Sequence, residues 1–270
     1  MNDITIVTAF YDIGRKNWDY YTRDTRYYFE CFERLCQLQN KIIVFSQIKF
    51  KSLFDKIISE KKPNLTVIYE DIFENNVDLL KKIKKSQNNL QKIGGLYNDG
   101  KPPEYWCPEY VLVNFLKSYF CKSAIEQIVD IDDVVSWIDF GYIKKQEQIP
   151  ESKIWKYNFE NKIHLWNIKD IPTQINILET IKNNTVYIQG CHLVTYKDKW
   201  HSLNKMMNDQ LNYLLSNSLV DDDQTLLLLS YRSNPQEFVL HKEEIDYNDL
   251  DWFFIFKYYN TCSDLAYKYY

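Results

Sequence analysis

Glycine is scarce in this chain: its 270 residues hold only 6, where an average protein has about 7%. That scarcity excludes a Walker-type phosphate loop and a dinucleotide fingerprint. Each needs two or three glycines within a few residues so that backbone can wrap a phosphate. A nucleotide would have to be held by side chains or by an ion. Metal-binding cysteine spacing is missing too. Cys31, Cys36, Cys107, Cys121, Cys191 and Cys262 include no Cys-x-x-Cys pair, so they read as reduced, buried small apolar residues. His164, His192 and His201 show no zinc-ligand spacing. There is no long basic stripe and the net charge is −4, which leaves nucleic acid without an electrostatic footprint. Lys81, Lys82, Lys84 and Lys85 read as the solvated face of a helix. No run approaches the roughly 20 apolar residues needed to span a bilayer. No signal peptide precedes the first strand-like run, so the expected compartment is the cytoplasm.

The chain is 45% hydrophobic, ample for a large core. Aromatic residues make up 16%, with 22 Tyr. Either codon bias or aromatic binding surfaces explain that excess; tyrosine's flat apolar face and polar tip suit sugars, bases and interfaces.

Residues 4–10, 41–45 and 65–69 are short β-branched and apolar runs that read as buried strands. Segments 22–39 and 52–61 between them carry helical spacing. Strand–helix alternation of this kind predicts right-handed crossovers and a parallel sheet. Ligands of such sheets bind beyond the carboxyl ends of the strands, which makes residues 8–15 a candidate site. A polar helix and a mobile loop are expected over 74–104, a helix over 109–127, and a strand over 134–138. The second half is less regular: strand then turn over 185–191, helices over 197–219 and 225–231, and a strand over 238–241. The aromatic run 252–256 reads as a core strand or helix, or as a membrane-surface patch. No repeat or linker is visible, so the halves are expected to be fused.

Four constellations carry chemistry. In Trp137-Ile138-Asp139-Phe140-Gly141 a carboxylate follows a buried strand, where it either holds a divalent ion or caps a turn. Its Asp-Phe-Gly letters do not make a kinase, since no glycine-rich loop or His-Arg-Asp loop accompanies them. Asp221-Asp222-Asp223-Gln224 either caps the next helix or puts a carboxylate into a sugar site, as base or hydroxyl-binding group, with Gln224 bonding the same sugar. Gly190, in Gln189-Gly190-Cys191-His192, marks either a bulge or a close backbone approach, for example by a sugar ring. His241 either completes a metal site with Asp139 or is a satisfied structural histidine.

Together these segments resemble the HtrL/YibB (WlaTC-like) family of bacterial glycosyltransferase-type proteins. The matching stretches are residues 4–12 with Arg15 and Trp18, then residues 137–142, Gly190-Cys191 and Asp221-Asp222-Asp223-Gln224. The resemblance implies an α/β, GT-A-like fold with a mostly parallel central sheet flanked by helices. A Rossmann-like nucleotide-binding half (1–142) would be fused to a sugar and acceptor half (143–270). It implies transfer of a sugar from a nucleotide-activated donor, UDP-linked by expectation, to a glycan or lipid-linked saccharide. The lipid-linked case brings peripheral membrane contact. Thr8, Ala9, Phe10, Tyr11 and Arg15 would hold base, ribose and diphosphate. Lys117, Trp137, Ile138, Asp139, Gly190 and Gln224 would complete the nucleotide-sugar site, and Asp222 or Asp223 would be catalytic. The metal motif of that fold falls on Asp139-Phe140-Gly141, with glycine in place of the second aspartate. A Mn2+ or Mg2+ ion is expected on Asp139, with His241 assisting. The rivals are a non-catalytic nucleotide- or sugar-binding module of the same fold and, more remotely, a metal-dependent phosphoester hydrolase.

Overall fold

The computed structural model describes residues 2–242 and 253–260. The first half alternates as the spacing predicts. Strand β1 (Asn2–Phe10) is followed by α1 (Thr25–Leu35), β2 (Ile42–Ser46), α2 (Lys51–Glu60) and β3 (Thr66–Tyr69). Helices α3 (Ile72–Asn75), α4 (Val77–Ile93), α5 (Pro108–Phe115) and α6 (Lys117–Gln127) lead to β4 (Val134–Ile138). The second half contains β5 (Lys156–Tyr157), β6 (Ile163–Asn167), α7 (Ile177–Lys182), β7 (His192–Tyr196), α8 (Trp200–Ser216), α9 (Asp223–Ser233), β8 (Phe238–Lys242) and α10 (Ile255–Tyr258).

The main sheet runs in the order β3-β2-β1-β4-β7-β6-β8, and β5 pairs with β1 off this path. Strands β3, β2, β1 and β4 are mutually parallel. β7 is antiparallel to both β4 and β6, while β8 is parallel to β6. The fold is thus α/β, with a mostly parallel mixed sheet between helices. β1, β2 and β4 are mostly apolar because both of their faces are buried, with Thr5, Thr8, Ser46 and Ser136 as buried polar exceptions. Val7, Ala9, Ile43 and Phe45 point into one core cluster, with residues of α4, α5, α6, α8 and α9. Ile4, Ile6, Phe10, Ile42 and Val44 point into the other, with residues of α1, α2 and α10.

Several expectations are corrected. Residues 22–39 hold a shorter helix, α1, because the Asp24 carboxylate accepts from the Tyr27 N–H and starts it there. The span 109–127 is two helices, broken at Leu116, whose ψ is 1°. Residues 185–191 are not a strand; Ile188 makes a single bridge to Asn167, and the strand begins at His192. The Lys81–Lys85 cluster does lie on the exposed face of α4. Cys31, Cys36, Cys107 and Cys121 are free, buried thiols. Cys262 and Trp252 lie outside the described residues. Of the aromatic run, Phe254, Ile255 and Phe256 are core. Among the described residues no helix is long and apolar enough to cross a membrane.

Candidate functional site

A cavity of about 410 Å³ opens beyond the carboxyl ends of β1 and β4. Parallel strands β1 and β4 end there side by side, and the loops that leave them part to form a crevice. One wall is Ala9, Phe10 and Tyr11 with the following turn, in which Gly14 at φ 77° donates its N–H to Asp12 Oδ1. The floor is Trp137 and Asp139 of the second strand end. Opposite stand Glu104, Tyr110, Asn114 and Lys117 from the segment and helices before β4, and Asp222 and Gln224 from the start of α9.

Lys117 organises the floor. It is only 4% exposed, yet all three of its ammonium protons are directed. It donates to Gly190 O at 2.8 Å and to Asp223 Oδ2 at 2.8 Å, and it lies 3.1 Å from Asp139 Oδ1. Burial alone disfavours its charge; Asp139 and then Asp223 outweigh that and hold it above the ordinary lysine range. Asp139 Oδ1 also accepts from Trp137 Nε1 at 2.8 Å. Gly190 is explained by the same cluster. A Cβ on it would lie 2.0 Å from Asp223 Oδ2. The close approach that a lone glycine signals is therefore made by a carboxylate of the chain itself.

The opposite wall is acidic. Burial, followed by the Asp222 charge, pushes the Glu104 carboxyl up to about 8. Burial, then Glu104, pushes Asp221 up to about 7. Asp222 is raised well above the carboxylate range by burial, then by Asp223 and Asp221. Asp222 also caps α9, accepting from the Gln224 N–H at 3.0 Å. The cap and site readings of this segment thus describe the same residue. Asp221 instead accepts from the Thr225 hydroxyl at 2.6 Å.

Of the residues singled out in the sequence, Ala9, Phe10, Tyr11, Arg15, Lys117, Trp137, Asp139, Asp222 and Gln224 line the cavity. Thr8 and Ile138 do not; both are fully buried within their strands. Gly190 and Asp223 lie behind the floor, reaching it through Lys117. His241 is not brought to Asp139. Its Nε2 meets His164 Nδ1 at 2.8 Å, its ring stacks on Trp166, and burial and then His164 push its imidazole down to about 3. The expected ion on Asp139 and His241 therefore lacks its donor set. Lys117 and Trp137 already take one Asp139 oxygen, Lys117 holds the Asp223 carboxylate, and among the described residues no three His, Cys, Asp or Glu group to hold a metal. Sequence reading missed Glu104, Tyr110, Asn114, Asn184, Arg23 and Lys144, all of which line the cavity. Glu104 ends the segment 74–104, read as a polar helix and a mobile loop, and nothing local marked the others.

Comparison with known proteins agrees with the recurrence of these segments. The profile of the family described as "Bacterial protein of unknown function (HtrL_YibB)" matches residues 2–261. The chain belongs to the HtrL/YibB family. Within it, Protein HtrL of Escherichia coli (strain K12) is 34% identical over 88% of this chain and 87% of that one. Among solved structures, the HtrL/YibB chain resembles a 4-diphosphocytidyl-2C-methyl-D-erythritol synthase from Anaerococcus prevotii, with a TM-score of 0.43 and 11% identity over 92% of this chain and 89% of that one. It also resembles mouse xyloside xylosyltransferase 1, with a TM-score of 0.41 and 10% identity over 88% and 85% of the two chains. At these scores the likenesses are of overall shape only.

Proposed function

We propose that this HtrL/YibB-family protein is a glycosyltransferase that takes a sugar from a nucleotide-linked donor, UDP-linked by preference, to a hydroxyl of a glycan or lipid-linked saccharide. The observation that carries this reading is the polarity of the cavity. It joins a strand-end crevice that carries cations to a wall of buried carboxyls, Glu104, raised by burial to about 8, and Asp222, raised by burial well above its ordinary value. A group of that kind is suited to receiving a proton near neutral pH.

In this reading Ala9, Phe10, Tyr11 and Arg15 flank the nucleotide, and the remaining oxygen of Asp139 accepts from a ribose or sugar hydroxyl. Asn114, Asn184 and Gln224 bond the transferred sugar. The acceptor oxygen attacks the anomeric carbon, and the bond from that carbon to the diphosphate oxygen breaks. The nucleoside diphosphate leaves with the electron pair, and the acceptor proton passes to the ionised Asp222 carboxylate. Asp223 keeps Lys117 and hence Asp139 in place rather than meeting the substrate. An aromatic rim supports a saccharide acceptor. Tyr20 and Tyr21 are half exposed, and Trp18 packs edge-on to Trp106 at 4.8 Å beside the mouth. Such rings offer flat apolar faces to sugars. No step is assigned to a divalent cation, because among the described residues no three His, Cys, Asp or Glu side chains group to hold one.

The test is cleavage of a panel of UDP-sugars, read as released UDP, in the wild type and in Asp222→Asn. The wild type should release UDP from at least one donor, and the variant should lose about 100-fold or more in rate. Equal rates in the two proteins overturn the role given to Asp222; no release from any donor, with a broad acceptor panel present, overturns the transferase reading in favour of a binding module.

A further inference from the structure

Three cations at the cavity mouth have no carboxylate partner among the described residues. Arg15 spends Nη1 on the Tyr28 hydroxyl at 2.5 Å and Nη2 on the Tyr21 carbonyl at 3.1 Å, and its Nε is buried without a partner. Arg23 lies against the Tyr27 ring at 5.6 Å, with no hydrogen bond or ion pair from its guanidinium. Lys144 sits 3.9 Å from the centre of the Phe253 ring, likewise without a carboxylate. All three line the cavity. The remaining cation there, Lys117, is already matched by Asp139 and Asp223. Lys144 is half-buried; burial, and next the charge of Arg23, hold its ammonium below the ordinary lysine range. Two like charges thus repel each other across the mouth, a cost that an anion between them removes.

We infer that Arg15, Arg23 and Lys144 form a diphosphate-binding subsite that holds the donor's charge without a divalent ion. This inference rests on the nucleotide-sugar reading of the cavity and extends it to two residues outside the strand-end motifs. The chemistry is complementary. A nucleoside diphosphate sugar carries two negative charges, and guanidinium groups bond phosphate oxygens through paired N–H donors. Asp12, the carboxylate nearest the turn, is engaged by Lys49 at 3.3 Å and by the Gly14 N–H, so it does not neutralise the cluster. On the far wall, burial raises the carboxyls of Glu104, up to about 8, and of Asp222, which lessens their opposing charge there. The glycine-poor loop after β1 is consistent with this arrangement: side-chain cations do the work that backbone N–H groups do in a phosphate loop.

The probe is inorganic pyrophosphate, titrated calorimetrically in EDTA against the full chain as wild type, Arg23→Gln, Lys144→Met and Lys144→Arg. The exposed Lys205→Gln serves as a control for net charge. The wild type should bind without added metal. Arg23→Gln and Lys144→Met should each weaken binding roughly tenfold or more at unchanged melting temperature. Lys144→Arg should bind within about threefold of the wild type, and Lys205→Gln as the wild type. Binding that requires Mn2+, or variants that bind as tightly as the wild type, overturns the inference even if UDP-sugars are cleaved. Conversely, metal-free pyrophosphate binding that both variants lose supports the subsite even if no UDP-sugar is cleaved. That second pattern counts against the transferase reading alone.

Discussion

Gly190 has no room for a methyl group, because the position a Cβ would take is 2.0 Å from an oxygen of Asp223. Gly190→Ala must therefore push the Asp223 carboxylate off Lys117, and the same triad can be broken directly. Lys117→Met leaves Asp223, 2% exposed, as a buried charge without its cation. Losing one partner of a buried pair costs about 3–5 kcal/mol, so the variant should melt roughly 10 °C below the wild type. Lys117→Met and Gly190→Ala should also be less than additive when combined, since both act on one cluster. A melting temperature for Lys117→Met within a degree of the wild type would remove the triad from the account. The floor of the cavity is in this sense structural. Asp139 faces the ligand, while Lys117 and Asp223 fix where it points.

At the scale of elements, the break at Leu116 lets α5 and α6 bring different residues to one cavity. Tyr110 and Asn114 come from α5, and Lys117 opens α6. Caps set the other boundaries. Asp24→Ala removes the acceptor for the Tyr27 N–H and should cost about 1 kcal/mol, read as a drop in melting temperature of roughly 3 °C with no change in pyrophosphate binding. The parallel half of the sheet and the α9 cap were legible in the sequence for a physical reason. Doubly buried strands must be mostly apolar, and a helix start needs an acceptor side chain. Strand β6 was not legible. Its sequence, Ile163-His164-Leu165-Trp166-Asn167, interrupts the apolar run with a histidine and an asparagine that are themselves buried. Asp139, Asp222 and Gln224 could be found because they end or begin elements. Arg23 and Lys144 lie in irregular segments far apart in the chain, and only the folded arrangement makes them neighbours. The expected pairing of His241 with Asp139 failed for a related reason. Spacing put a histidine on a late strand, but the ring turned to His164 and Trp166 instead of to Asp139.

For the whole molecule, the acidic wall sets opposite pH demands on stability and on turnover. Glu104 is pushed up to about 8, so the folded chain holds that proton more tightly than the unfolded chain does. The stability this contributes is complete below the ordinary carboxylate range and is lost as the pH rises through about 8. Asp221, up to about 7, acts in the same direction. The melting temperature should therefore fall between pH 6 and pH 9 by roughly 5 °C, and Glu104→Gln should flatten that slope. Donor cleavage should move the other way. A base must be ionised to receive a proton, so kcat/KM should rise with pH, with its acid limb above the ordinary carboxylate range. A flat profile from pH 5 to pH 8 would contradict the assignment of Asp222.

The central claim is that the strand-end cavity of this HtrL/YibB-family fold holds a nucleotide sugar. The most direct measurement is a crystal structure of the full chain with UDP bound. The uracil and ribose should lie against Ala9, Phe10 and Tyr11 and the diphosphate between Arg15, Arg23 and Lys144. The phosphate end should point toward Asp222. UDP bound away from this cavity, or no UDP at saturating concentration, would contradict it.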